Sequence, residues 1–430
     1  MADNVIQLPR PKAARPQSDA LGFFIRVGRN DHKELLDLIA GGEDGIFGFV
    51  VDAQNAKRHR ALLADARRRD FDVILEPKTQ PMALPGGHSD ALAELPWGLP
   101  RHHTLADFDG DEGRRRVEQI VDFALEHRFT QLIGPTHVLA GPNDPWLRRD
   151  IQAMKWAADA IKARKAELGL IYSMAVSIDV LRREGERRAL IAAIEDAPKD
   201  AIWLRIENFG DDASGDKTAA FIDAAREFHH LGVPVVADHV GGLPGLAALA
   251  FGAVGGIAHG VTVNQSFSAA RWRRPPTKKT GGGPGAWRVY LGGLDMLVSP
   301  AEAGAFLATS ARVKGKHACK DTRCCARGQK DMLAKSARHA LYQQAREIDW
   351  LSETPQGVRA ARYVEERVRR VSDEVAAAAA LNGLSDKMKK ALAKKQASVG
   401  GFRKAMGHLV SEDRAASVAI PPPRRAAKRS

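Results

Sequence analysis

The chain has 430 residues, 44% of them hydrophobic and 27% charged, the proportions of an ordinary soluble globular protein. Its longest apolar stretch, 243–258, holds Pro and several Gly and is shorter than the roughly 20 residues a bilayer span requires, which argues against a membrane partner. Three cysteines, all between positions 319 and 325, argue against a disulfide scaffold and for a reducing, cytoplasmic setting.

Charge is unevenly placed. From residue 311 onward 27 Lys and Arg face 12 Asp and Glu, while the rest of the chain holds 38 basic and 40 acidic residues. The whole surplus of +13 therefore sits in the C-terminal region. A near-neutral body with a basic extension is the footprint expected for a polyanionic partner, DNA or RNA. Solvated Lys-rich helices with a basic tail give the same count. A second copy of the chain, forming a homodimer, is a further candidate partner.

Residues 1–21, with Asp3, Pro9 and Pro11 and no apolar core, read as a disordered lead-in. From 22 to 270, short apolar runs at 23–27, 46–51, 71–75, 131–133, 170–174, 202–206, 234–237 and 256–258 alternate with helix-period stretches at 33–40, 57–69, 114–128, 146–167, 180–197, 217–231 and 243–251. That alternation predicts an α/β fold, a TIM (β/α)8 barrel. An open doubly wound sheet would carry a glycine fingerprint in its first turn, and Gly28-Arg29-Asn30-Asp31 lacks it. The connection 80–113, with repeated Pro and Gly and with Trp97, His102 and His103, is too long for a plain loop. Because it follows strand three, it is placed to cover the catalytic face.

Residues 271–310 form a basic Gly/Pro-rich loop and connecting segment, with a short strand or turn at 288–297 and a helix at 301–310. Residues 311–410 hold a Cys/His cluster and basic helices at 332–351, 355–381 and 384–409, whose composition suggests an exposed helical arm. The tail 411–430, ending IPPPRRAAKRS, reads as disordered.

Catalytic groups of such a barrel lie at the C-terminal strand ends. Those positions carry Arg26 and Arg29, Asp52 and Asn55, Glu76, Lys78 and Thr79, Thr136 and His137, Ser173 and Ser177, Glu207 and Asn208, Asp238 and His239, and His259, Thr262 and Asn264. Carboxylates crowded together push one another's pKa values apart, which supplies an acid and a base or nucleophile. Pairing with Arg26, Lys78 or Arg205 would instead leave some of them shaping the rim. The candidate catalytic set is Asp238, Glu76, Glu207, His259 and Asp52, with His239, Asn208, His137 and Asn264 contacting substrate. Gly241 and Gly242, ahead of a helix, are candidates to bind a phosphate through backbone N–H groups. His137, His239 and His259 are a weaker option for a barrel metal, since no strand has a His-x-His pair. Cys319, Cys324, Cys325 and His339 suit a structural Zn2+, with Lys316, Lys320 and Arg323 favouring thiolates.

The run ADHVGGLPGLAALAFGAVGGIAHG, the basic loop after it, and a Cys/His cluster opening the helix HALYQQAREIDWL resemble the tRNA-guanine transglycosylase family, including its relatives that place deazaguanine bases in DNA. The resemblance covers 234–351. It implies a barrel Asp that attacks C1′ of a nucleotide, a second carboxylate as acid/base, and a structural zinc behind the barrel. At the family's nucleophile position this chain has His259, its acidic-signature counterpart is Glu76 within EPKTQ, and its cysteine spacing differs. The resemblance therefore implies either another nucleophile, with Asp238 the candidate, or altered or lost chemistry. Two other readings stand beside it: a barrel enzyme on a small phosphorylated substrate, and a non-catalytic nucleic-acid-binding protein.

Overall fold

A computed structural model describes residues 20–40, 45–270, 272–274, 287–412 and 419–423. The expected disorder at 1–19 and most of the expected loop 271–286 lie outside the described residues, as do 413–418 and 424–430 of the tail.

Eight strands form the barrel: β1 (Gly22–Val27), β2 (Gly48–Asp52), β3 (Asp72–Glu76), β4 (Gln131–Ile133), β5 (Gly169–Ser177), β6 (Ala201–Glu207), β7 (Val235–Asp238) and β8 (Gly256–Gly260). Each pairs in parallel with the next, and β8 returns to β1 through Phe24↔Ala258 and Arg26↔Gly260, so the sheet is closed. This is the TIM barrel that the alternating apolar runs predict. Strand residues alternate between two environments because successive side chains point to opposite faces. Phe24, Val50, Ile74, Ile133, Ile171, Trp203, Val236 and Ala258 fill the interior, while Phe23, Ile25, Val51, Leu75, Tyr172, Leu204 and Ile257 pack outward against helices.

Local signals set the helix starts. Asp144 accepts a hydrogen bond from the Trp146 backbone N–H (3.0 Å) with Pro at the first turn of Pro145–Ala163. Ser299 and Glu302 form a capping box on Pro300–Ala308. The expected helix 180–197 is broken into Ile178–Arg182 and Glu184–Ile194 by an extended Arg183.

The long connection after β3 is folded rather than irregular. It contains the helix Asp90–Ala93 and the turn Leu105–Phe108, and it buries Trp97, whose indole N–H donates to the Pro77 carbonyl (3.1 Å). Its Gly86 N–H donates to the carbonyl of Trp272 (2.6 Å), so the segments after β3 and β8 meet over the mouth.

The C-terminal region departs from an exposed arm. A hairpin (Val289–Leu291 with Met296–Val298) precedes the helix Ser336–Glu353, the helical run from Gln356 to Ala379 and the helix Asp386–Ser411. These share one apolar core with the barrel's outer face. The Tyr363 hydroxyl donates to the Leu243 carbonyl (2.7 Å), and the Leu21 N–H donates to Ser352 Oγ (3.0 Å). The apolar stripes carried by Ile348, Leu351, Val368, Leu392 and Phe402 explain the docking: covered only by charged neighbours, they would have faced water.

The tail also departs from expectation where it is described. Pro422 is buried, and a Cβ on Gly255 or Gly22 would overlap the Ile420 carbonyl oxygen or the Pro422 ring. Gly22 begins β1 and Gly255 immediately precedes β8, so residues 420–422 lie against the floor of the barrel.

Candidate active site at the barrel mouth

Above the apolar interior the strands change character. Arg26, Glu76, Ser173, Arg205 and Asp238 occupy the inward positions two residues beyond Phe24, Ile74, Ile171, Trp203 and Val236. Arg26 binds Asp238 through Nε (2.5 Å) and Nη2 (2.6 Å) and reaches Glu76 Oε2 at 3.2 Å. Arg205 Nε donates to Asp238 Oδ2 at 2.9 Å, and its other nitrogens donate to Glu76 and to the side-chain oxygen Oε1 of Gln80. Gln80 Nε2 then donates to Thr136 Oγ1 and Ser173 Oγ, both at 3.3 Å. Two cations and two anions, all under 8% exposed, form one closed network.

Its electrostatics are one-sided. Burial alone would raise the Glu76 carboxyl, but Arg205, Arg26 and Lys78 outweigh it and bring the pKa down to about 2. Burial is likewise overcome at Asp238 by Arg26, Arg205 and His239, which hold it well below the usual carboxylate range. Both groups are anions at neutral pH, so neither stores a proton in this arrangement.

The other expected residues divide into rim and non-rim. Glu207 accepts both guanidinium nitrogens of Arg273 (2.7 Å each) and the Ala269 N–H (3.2 Å). Asp52 is the accessible carboxylate of the mouth, with Lys78 Nζ at 3.4 Å. Lys78, Asn208, His239 and Asn264, which follow β3, β6, β7 and β8, all adopt left-handed backbone with φ of 65°, 63°, 61° and 59°. Non-glycine residues pay about 1 kcal/mol or more for that conformation, and such strain gathers at functional sites.

His259 is not in the mouth. It pairs in register with Ile25 and contacts Phe23 at 5.0 Å on the outward face, where burial lowers its pKa to about 4. Ala258 is the inward residue there. His137 is also turned away. Its Nδ1 contacts Asp150 at 2.6 Å, and its ring stacks on Trp146 at 3.7 Å beneath Phe108. The three candidate histidines for a barrel metal therefore do not converge. Gly241 and Gly242 do precede the helix Gly242–Ala250, with Gly242 at φ +59°. A Cβ on Gly242 would meet Asp211 Cβ at 3.4 Å and its carbonyl oxygen at 3.5 Å. An acidic residue beside that helix start opposes a phosphate.

Arg205 and Gln80 are the network members that strand-end reading undervalues. An arginine inside the apolar strand AIWLRIE is a signal in itself, since a buried guanidinium requires partners. Asp150, at 0% exposure on the buried face of Pro145–Ala163, is a similar one.

The Cys/His cluster is brought together as a compact set. One donor atom each from Cys319, Cys324, Cys325 and His339 lies within 4.8 Å of all the others. Cys324 and Cys325 sulfurs are 3.6 Å apart, near the edge of about 3.8 Å that tetrahedral zinc–thiolate bonds of about 2.3 Å would give. His339 Nδ1 lies 3.3 Å and 3.5 Å from those sulfurs, while its Nε2 contacts the Tyr290 carbonyl at 2.9 Å. A carbonyl accepts only, so Nε2 carries the proton and Nδ1 offers its lone pair, the tautomer a metal ligand needs. The thiols act on one another: its neighbours' S–H groups lower Cys319, and Cys319 in turn raises Cys324 to about 12. The residues fit a divalent zinc ion, which would hold all three as thiolates.

No family model matches the chain. No curated protein matches it either. Among solved structures it is similar to a GH10 xylanase from Bispora sp. MEY-1, with 12% identity over 59% of this chain and 87% of the other and a TM-score of 0.40. It is similar to orotidine 5′-monophosphate decarboxylase from Methanocaldococcus jannaschii, with 12% identity over 59% and 96% and a TM-score of 0.35. A 3-dehydroquinate dehydratase from Enterococcus faecalis gives 9% identity over 56% and 90% and a TM-score of 0.34. Such likenesses say nothing of this chain's chemistry. Among the described residues no helix is long and apolar enough to cross a membrane.

Proposed function

We propose that the protein is an enzyme working at the barrel mouth, and that it exchanges a base within a nucleic acid through the carboxylate of Asp238. The observation that carries this reading is the Arg26–Asp238–Arg205–Glu76 network. Buried ion pairs add little stability against an apolar core, so a four-charge cluster at a catalytic-face position is better explained by chemistry. A nucleophilic carboxylate must be ionised and aimed, and two guanidiniums do both for Asp238.

The reaction balances as two displacements at C1′. One Asp238 oxygen forms an ester bond to C1′ as the bond from C1′ to the base breaks, and the base leaves with that electron pair and takes up a proton. The incoming base then attacks C1′, loses a proton and releases the carboxylate. Both Asp238 oxygens are held by arginine at rest, Oδ1 by Arg26 and Oδ2 by Arg26 and Arg205. Substrate must therefore displace a guanidinium from the attacking oxygen before the bond can form. Asp52, met by Lys78 at 3.4 Å, is the carboxylate placed to handle the proton, and Glu207 could do so once Arg273, which is 48% exposed, lets it go. A structural zinc held by Cys319, Cys324, Cys325 and His339 would brace the segment behind the barrel, away from the displacement.

The test is incorporation of a labelled guanine or deazaguanine base into DNA and into tRNA by the full chain, with adducts sought on denaturing gels. Asp238→Asn is expected to lower exchange by about 10³-fold or more and to abolish the adduct. Unchanged exchange in that variant would remove Asp238 as nucleophile. Salt-sensitive binding without any turnover would replace the proposal with a binding protein.

A further inference from the structure

An open groove of about 730 Å3 lies on the C-terminal region, and none of the mouth residues lines it. Its walls are the helix Ala311–His317, the turn at 327–328 and the helix Gln329–Ala334, and Cys319 of the Cys/His cluster reaches its lining. Four basic residues line it, Lys314, Lys320, Arg327 and Lys330, and no acidic residue does. Arg327 is held by Asp331 (2.8 Å). Lys314, Lys320 and Lys330 are exposed, and among the described residues none of them has an ion-pair partner within 4.0 Å. By contrast, Lys387 and Lys395, also in the C-terminal region, are neutralised by Glu302 and Asp295.

We propose that this groove is a binding site for the phosphate backbone of a nucleic acid, separate from the barrel mouth and serving to hold the polymer while one nucleotide is worked on. Three exposed ammonium groups without an ion-pair partner among the described residues line one concavity, and counterions gather at such a surface. A polyanion displaces those counterions, and their release drives binding. Lysines suit this task because a phosphate chain is met as a series of point charges with no base to read. The position of Cys319 and Lys320 side by side links the groove to the cluster: whatever fixes the sulfur fixes the start of the lysine's backbone.

The inference rests on the nucleic-acid reading above but not on the barrel's chemistry. The experiment is fluorescence anisotropy of the full, metal-loaded chain with a short labelled DNA duplex and with its single strand, titrated over a range of salt. A triple Lys314→Ala, Lys320→Ala, Lys330→Ala variant is expected to bind on the order of tenfold more weakly. Its slope of log affinity against log salt should be shallower by about 2 to 3. Lys390→Ala with Lys394→Ala, exposed on another helix, serves as the matched control, and thermal melting confirms that both variants fold. Equal affinity and slope for triple variant and wild type would overturn the groove while leaving the mouth's chemistry untouched. The same holds if the control loses as much as the triple variant. No binding by the wild-type chain would overturn the groove and the choice of substrate together.

Discussion

Arg26 and Arg205 each touch both buried carboxylates, so neither can be removed without stranding a charge. Arg205→Met is expected to destabilise the fold by about 3–5 kcal/mol in urea titration, the range for breaking a buried pair from one side. Asp52→Asn, which loses only one loosely held, partly exposed partner at 3.4 Å, should change stability by less than about 1 kcal/mol. Comparable losses in the two variants would show that the network is not energetically coupled. The carboxylates of the mouth were legible because Asp52, Glu76, Glu207 and Asp238 all end apolar runs on the inward parity. The same parity, applied to GIAHG, puts Ala258 inside and His259 outside, a reading available from the small residues at 256, 258 and 260. What the sequence could not reveal is the closure of the network. Gln80 joins Arg205 from 125 residues away, and nothing local in EPKTQ announces that partner.

At the scale of elements, the hairpin, the cluster and the helix Ser336–Glu353 form one unit tied by His339, whose ring joins the sulfurs on one side to Tyr290 on the other. One zinc per chain is expected by metal analysis of the purified protein. Stripping it with a chelator should lower the melting temperature, because ions that bind only the folded form stabilise it. Cys324→Ser should lose the metal and melt at the chelated value. A metal-free chain that melts unchanged would mean that the thiols pack without an ion. The ligand set was readable from the four residues themselves. The hydrogen bond that fixes the imidazole comes from a carbonyl 49 residues earlier, which no spacing rule reaches.

Over the whole molecule, the titration of buried groups sets a pH profile. Burial, aided by His32 at His59 and by His137 at His103, lowers His59, His103 and His259 to about 4. Their folded values lie below the unfolded value near 6.5, so the stability they contribute is complete above pH 6.5 and is lost as pH falls toward 4. Glu76 acts in the same direction between about 4.5 and 2. Glu347 opposes them: burial raises it to about 7, so its contribution weakens the fold as pH rises from about 4.5 to 7. The urea midpoint is therefore expected to fall between pH 7 and pH 5, and to fall more steeply in Glu347→Gln. A midpoint flat across that range would refute the assignment. Composition announced a neutral body and a basic extension, and charge counting is blind to what lies under the charges. The apolar stripe facing the barrel is spread over three helices, each of which reads as solvated when taken alone.

The meeting of residues 420–422 with Gly22 and Gly255 has a topological consequence. Two stretches of chain about 400 residues apart in sequence end up side by side, and closing so long a loop is entropically unfavourable unless the intervening chain already holds the ends near each other. The docked helices do that, since they share one apolar core with the barrel and bring the tail back beneath it. The protein is a belt fastened at its own buckle, and a barrel cut free of its C-terminal wrapping would lose the cover that Ile420 and Pro422 give Gly255 and Gly22.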